Sequence, residues 1–217
     1  GGGLTNAVCT GYPVSACGSY PISIGSGGAG SNQDQASSQP GTGTSFSPIT
    51  TSGGGGAANF QTMDGLPGGS GGGGVIGIGG IGNQGGYSPP EGNDGGDGGP
   101  GTAQGGGGGG ASQAGGDFPT PDAGGGDGLY WPGPALCGTC TGESGPEGFY
   151  FAGGGAGAMP VGTGGGLGGG GDAANPGDPA PVSQGQPNTG GGGGKRINTG
   201  LNTEGGSGAV IIRYQIK

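Results

Sequence analysis

Apolar residues are spread so thinly along this chain that only three short stretches carry a periodic pattern. Residues 209–216 form a β-branched run behind a Gly/Ser turn, in which Arg213 and Gln215 alternate with apolar neighbours, and they read as a strand. Tyr20–Ile24 alternates in the same way and runs into a glycine turn, so it reads as a second strand. Thr44–Thr50 reads as one short extended piece. No stretch has the i, i+3, i+4 rhythm of an amphipathic helix, which excludes a helical protein. The pattern predicts that the two ends of the chain pair into a small β-sheet.

Between the ends the pattern is one of glycine. Over residues 65–128 glycine occupies every third position through long stretches, at 65, 68, 71, 74, 77 and 80, then at 92, 95, 98 and 101. The same frame returns at 107, 110, 116, 125 and 128, and its interruptions include Asn83, Pro89, Gln104, Gln113, Pro119 and Asp122, close to turn-like clusters. A three-residue period is that of the polyproline II helix. The expected fold is therefore irregular and essentially without α-helix: a glycine-rich polyproline II bundle with a small β-sheet formed by the chain ends. Such a helix makes no internal hydrogen bonds, so its backbone groups must find partners on neighbouring rods. Glycine facing each neighbour allows that approach. Three regions follow in one continuous domain: a short-stranded β region over 1–60, the bundle over 61–200 and the C-terminal strand over 201–217.

Composition sharpens this picture. Of 217 residues 74 are Gly and 18 are Pro, which leaves too little apolar material for a large side-chain core. Collagen shares the richness in glycine but needs it at every third position without interruption, and residues 31–40 contain none. The net charge is −9, from 13 acidic and 4 basic residues, and all four cations (Lys195, Arg196, Arg213, Lys217) lie near the C-terminus. An acidic chain repels phosphate backbones, so no nucleic-acid partner is expected. No apolar run approaches the length that spans a bilayer, so no membrane insertion is expected either.

Candidate chemistry is sparse. Tyr87, Phe118, Tyr130, Trp131 and the run Phe149, Tyr150 and Phe151 fall where the glycine frame breaks or shifts, which predicts turns between rods. Aromatic side chains on rigid loops supply contact area at low entropic cost, so these seven are the candidate recognition residues. Capping of the bundle ends is the competing role. The four cysteines suit local disulfides, Cys9 with Cys17 and Cys137 with Cys140, with free thiols or a four-thiolate zinc site as the alternatives. Glu91, Asp94 and Asp97 recur every third residue and share one rod face; a solvated acidic edge is expected there, with a calcium site as the alternative. Asp117, Asp122 and Asp127 are expected on the outside as well. The chain has no His, so Ser-His-Asp and Cys-His arrangements are impossible. Gly164–Gly169 matches a dinucleotide fingerprint only by chance at this glycine content. No enzyme activity and no cofactor are expected.

Several stretches resemble a known family. Residues 19–30, 41–46, 49–57 and, above all, the ending over 206–214, in which glycine-rich sequence runs straight into Val210, Ile211, Ile212, Arg213 and Tyr214, are similar to the glycine-rich domain of tailed-bacteriophage tail-fibre and adhesin proteins. The resemblance lies in the ends; residues 60–200 match in composition only, and the two Cys pairs are not part of the family's pattern. It implies the C-terminal part of a longer protein at the tip of a virion tail fibre. It also implies a bacterial surface receptor (an outer-membrane protein or glycan) and further tail-fibre chains, as a homotrimer, for partners. A purely structural fibre-tip or oligomerisation domain is the alternative, and an ice-binding polyproline II protein a more distant one.

Overall fold

A computed structural model describes residues 12–31, 38–100, 104–119, 123–132, 142–158, 163–174, 182–195 and 203–213. Among them there is no helix, and regular structure is confined to two small sheets. In the first, β1 (Ile22–Ser23), β2 (Ser45–Phe46) and β3 (Ile49–Thr50) pair antiparallel in the order β1-β2-β3. The expected single piece over Thr44–Thr50 is thus a hairpin, turned at Ser47 with a φ of 54°. In the second, β4 (Leu129–Trp131), β5 (Glu143–Ser144) and β6 (Phe149–Phe151) pair antiparallel in the order β4-β6-β5.

The strand expected at 209–216 does not form over its described part, residues 209–213, and the rest lies outside the described residues. The chain ends do meet, but through separate backbone bonds rather than a ladder: Gly205 donates to the Gly28 carbonyl at 3.0 Å and Gly208 to Gly25 at 3.0 Å. The spacing explains why. Bonds that recur at three-residue intervals cannot build a ladder whose side chains alternate every second residue.

That three-residue interval governs the rest of the molecule. In the segment 105–111, Gly105, Gly108 and Ala111 donate to Ala158, Gly155 and Ala152 at 2.9–3.0 Å. Gly106 and Gly109 donate to Gly74 and Gly71, and Gly107 and Gly110 to Gly116 and Gln113. One segment therefore serves three neighbours, one for each phase of its repeat. All of its backbone donors are satisfied outside itself, as burial requires.

Glycine is needed because the neighbours are so close. A Cβ on Gly107 would fall on the Gly124 carbonyl, and one on Gly109 on the Asn93 carbonyl. A segment packed on one side needs glycine at one position in three. This one is packed that closely on two of its three phases, Gly106 with Gly109 and Gly107 with Gly110, whereas a Cβ on Gly105 or Gly108 would stay 3.3 or 3.4 Å from its nearest neighbour. Among the described residues the buried apolar side chains are correspondingly small: seven alanines and Val75.

Eight segments close into a ring. Residues 25–29 bond to 39–42, 38–44 to 51–57, 53–58 to 70–73, and 71–74 to 106–109. The ring continues from 105–111 to 152–158, then to 189–194 and 203–207, and the bonds from 205–208 to 25–28 complete it. The remaining described segments pack outside it.

Asp94, Asp97 and Asp117 are exposed, as expected of a solvated edge, but the acidic residues also serve as backbone acceptors. Gly85, Gly82 and Gly79 donate their N–H groups to Glu91 Oε1 (3.1 Å), Asp94 Oδ1 (2.7 Å) and Asp97 Oδ1 (2.8 Å). The two three-residue repeats run antiparallel, with a carboxylate standing in for a backbone carbonyl at each step. Glu91 is fully buried, and its Oε2 also accepts from Ser52 N–H at 2.7 Å. Asp117 accepts from Asp97 N–H and Asp127 from Leu167 N–H, both at 2.8 Å. Asp122 lies outside the described residues. Anionic acceptors make hydrogen bonds about twice as strong as neutral ones.

Two predictions follow from this packing. Gly107→Ala should destabilise the protein by about 2 kcal/mol or more through overpacking. In Gly108→Ala the new Cβ would stay 3.4 Å from its nearest neighbour, and the change should be neutral or stabilising by up to about 1 kcal/mol. Chemical denaturation compares the two, and equal losses would contradict the assigned packing. Glu91→Gln, which sets an amide donor against a backbone donor, should cost about 2–3 kcal/mol, and Asp97→Asn, which keeps its acceptor oxygen, about 1 kcal/mol or less. The same denaturation measurement checks this order.

Candidate functional site

With no room for side chains between segments, large side chains collect where segments end. The hydrogen bonds place both sheets at the same end. Ala111 donates to Ala152, just after β6, and Ala152 to Thr189 at 2.8 Å. Gly190 donates to Ser207 at 2.8 Å and Gly208 to Gly25. Gly25 then donates to Thr44 Oγ1 at 3.0 Å, next to β2.

Five of the seven candidate aromatics lie on the second sheet. They are on strands, where the sequence suggested turns. Leu129 stands opposite Phe151, Tyr130 opposite Tyr150, and Trp131 opposite Phe149. Strand alternation puts Tyr130 and Tyr150 on one face and Leu129, Trp131, Phe149 and Phe151 on the other. The Tyr130 and Tyr150 rings lie 5.7 Å apart at 49°. Tyr130 is exposed and the other four are half-buried. The rings cover glycines: a Cβ on Gly142 would come within 2.7 Å of Phe151, and one on Gly145 within 2.6 Å of Tyr150. Gly148, at a φ of +147°, lies beneath the Tyr130 ring edge and also requires glycine for its backbone. Burial and the nearby Glu147 carboxylate push the Tyr150 phenol above its usual range, and the two groups are 3.4 Å apart. Glu143 Oε2 accepts from Gly168 and Gly169 N–H at 2.7 and 2.8 Å, tying β5 to the bundle.

Tyr87 sits at the same end, on the expected turn. Its N–H donates to Asn83 Oδ1 at 3.0 Å, its ring covers Gly85, and its hydroxyl is 3.1 Å from Thr50 Oγ1 on the first sheet. Phe118 does not join the group. It packs over Gly99 and donates to the Asp97 carbonyl, at the opposite end of the bundle. Both Tyr87 and Phe118 lie beside cis X-Pro bonds, at Ser88–Pro89 and Phe118–Pro119.

Sequence reasoning missed a second aromatic cluster. Tyr12, Tyr20 and Phe46 converge beside the first sheet, with centroid separations of 5.9, 5.3 and 6.2 Å. Tyr12 donates to Ser47 Oγ at 3.0 Å. The Ser15 side chain and N–H lower the Tyr20 phenol from its usual range. The signal was present in Tyr20 at the start of one extended piece and Phe46 within another. Val14, Ile22 and Ile24 are exposed near this cluster, and Ile76, Ile78 and Ile81 are exposed along another segment.

Cys17 is a free, exposed thiol in a left-handed turn at a φ of 62°. Cys9, Cys137 and Cys140 lie outside the described residues. No group of three or more potential metal ligands occurs among the described residues. The chemistry on offer at the aromatic end is stacking on ring faces and hydrogen bonding from phenols, hydroxyls and an indole.

No curated protein and no solved structure matches the chain. A profile for the glycine-rich domain matches residues 1–215, nearly the whole length. The hydrogen-bonded glycine bundle thus coincides with the matched region, and the chain belongs to the glycine-rich domain family.

Proposed function

We propose that this domain is a recognition module in which polyproline II rods present an aromatic end to a bacterial surface receptor, at the tip of a phage tail fibre. The observation that carries the reading is the convergence of Tyr130, Trp131, Phe149, Tyr150 and Phe151 on one small sheet, with Tyr87 and the Tyr12–Tyr20–Phe46 cluster at the same end. Aromatic groups of this kind dominate binding surfaces. Three-residue hydrogen-bond intervals support the polyproline II geometry. The tail-fibre setting rests on the resemblance of the terminal sequences, and a glycan or an outer-membrane protein is the corresponding receptor.

Assembly of copies at the fibre tip, as a homotrimer, is a second reading. The exposed Val14, Ile22 and Ile24 beside the first sheet favour it. The two roles are compatible if the copies associate through the first sheet and leave the second free.

Binding of the fluorescently labelled chain to a panel of bacterial cells tests the recognition role. On any strain that binds, Tyr130→Ala and Trp131→Ala together should weaken binding by about tenfold or more, or about 1.4 kcal/mol. Phe118→Ala, at the opposite end, should leave it unchanged. Binding that survives the double substitution, or falls equally with Phe118→Ala, would overturn the assignment of the aromatic end.

A further inference from the structure

The second sheet carries negative charge on the same face as its tyrosines. Tyr130, Tyr150 and Glu143 stand opposite one another across β4, β6 and β5, so they form one row on one face. Glu147 joins them from the tight turn between β5 and β6, where Gly145 and Gly148 bond to each other at 2.7 and 3.3 Å. Its exposed carboxylate accepts from the Tyr150 hydroxyl at 3.4 Å. Burial first, and then the charges of Glu147 and Asp127, hold the Tyr150 phenol above its usual range, which marks a negative field at that ring.

Neither of the two described cations lies on this sheet: Lys195 is 5.7 Å over the Phe60 ring, and Arg213 is on the C-terminal segment. Glu143 and Asp127 accept from the Gly168, Gly169 and Leu167 N–H groups, but backbone amides cancel no formal charge. Held at these separate anchors, the carboxylates form no group that could bind a metal ion. The face instead suits an extended organic cation. Tyr130 is 39% exposed, and its ring centroid is 5.7 Å from that of Tyr150. A cation is attracted to a tyrosine face from within about 6 Å of the centroid, so one cation can lie within reach of both rings. A guanidinium matches best, because it is flat, stacks on a ring and still offers N–H donors to a carboxylate at the ring edge.

We propose that the Tyr130–Tyr150 face of the second sheet, with Glu147 at its edge, docks an arginine side chain from an exposed loop of a partner protein. The guanidinium stacks on the rings and donates to Glu147. The acidic surface draws such a loop in from a distance. This inference rests on the receptor reading and narrows it, since it selects a protein with basic loops over a neutral glycan.

Nuclear magnetic resonance of the isotopically labelled full chain, titrated with acetyl-Gly-Arg-Gly-Arg-Gly-amide, tests it. Resonances of Tyr130, Tyr150 and Glu147 should shift while those of Tyr12 and Tyr20 stay unchanged, and the analogue with Gln in place of Arg should shift none of them. Glu147→Gln should weaken peptide binding by about threefold or more. Asp97→Asn removes the same charge at the opposite end and should leave binding within about twofold. No shift at millimolar peptide, equal shifts with both peptides, equal losses in the two variants, or shifts at these rings with maltoheptaose in place of the arginine peptide would each overturn the proposal. A chain that binds cells through Tyr130 and Trp131 yet ignores the arginine peptide would keep the receptor reading and lose this one.

Discussion

Every backbone N–H and C=O inside this molecule must find a partner on a different segment, because segments with a three-residue repeat offer none of their own. That single requirement fixes the spacing of the bundle, and the spacing selects the residues. Gly107 and Gly109 cannot carry a Cβ without striking a neighbouring carbonyl. Glycine costs roughly 0.5–1 kcal/mol each in chain entropy relative to alanine. A hydrogen bond returns about 1 kcal/mol net. The two are so close that few donors can be left idle, and each phase of the 105–111 repeat is accordingly taken up by a neighbour. Stability here is a matter of completing hydrogen bonds, with apolar burial reduced to methyl groups and one valine.

The same requirement explains the negative charge. Where an outer segment lacks a neighbour with a suitably placed carbonyl, a carboxylate replaces it. Glu91, Asp94 and Asp97 repeat every third residue because the amides of Gly85, Gly82 and Gly79 do. A backbone that leaves amides facing outward calls for acceptors, and lysine or arginine can supply none. The acidic excess is in this sense part of the scaffold.

How much of this was legible in the sequence depends on which interaction a residue obeys. The glycine frame over 65–128 showed that segments lie against one another, because close approach acts on residue type directly. The frame could not show which segments are neighbours. Gly105–Gly110 reads only as a featureless run until its three partners are known. The strand pattern of residues 209–213 misled because β-branched residues are also tolerated in extended segments that form no ladder. The Glu91–Asp97 repeat was seen, and its shared face was correctly inferred, but the amides opposite it belong to glycines that carry no local mark. The aromatic sheet was hidden for a similar reason: the pairing of Trp131 with Phe149 is set by the antiparallel return of the chain, which single-residue patterns do not encode.

A scaffold without a side-chain core divides its labour by position. Along the segments most changes larger than a hydrogen atom meet backbone, as at Gly107 and Gly109, so the sides of the bundle are closely constrained. At the ends the constraint lifts, since a turn contributes its bonds through Asn83 or a positive φ at Gly148 and leaves large side chains free to vary. Rings such as Tyr87 and Tyr150 shield the glycines beneath them from water while keeping part of their own surface outward. Capping and the proposed recognition role would then be two consequences of one placement. Because the ring closes only when residues 205–208 reach 25–28, the end that carries the aromatic groups is held by contacts spanning the whole chain. Such long-range closure slows folding, and in the proposed recognition role it would hold the rings in place so that binding carries little ordering cost.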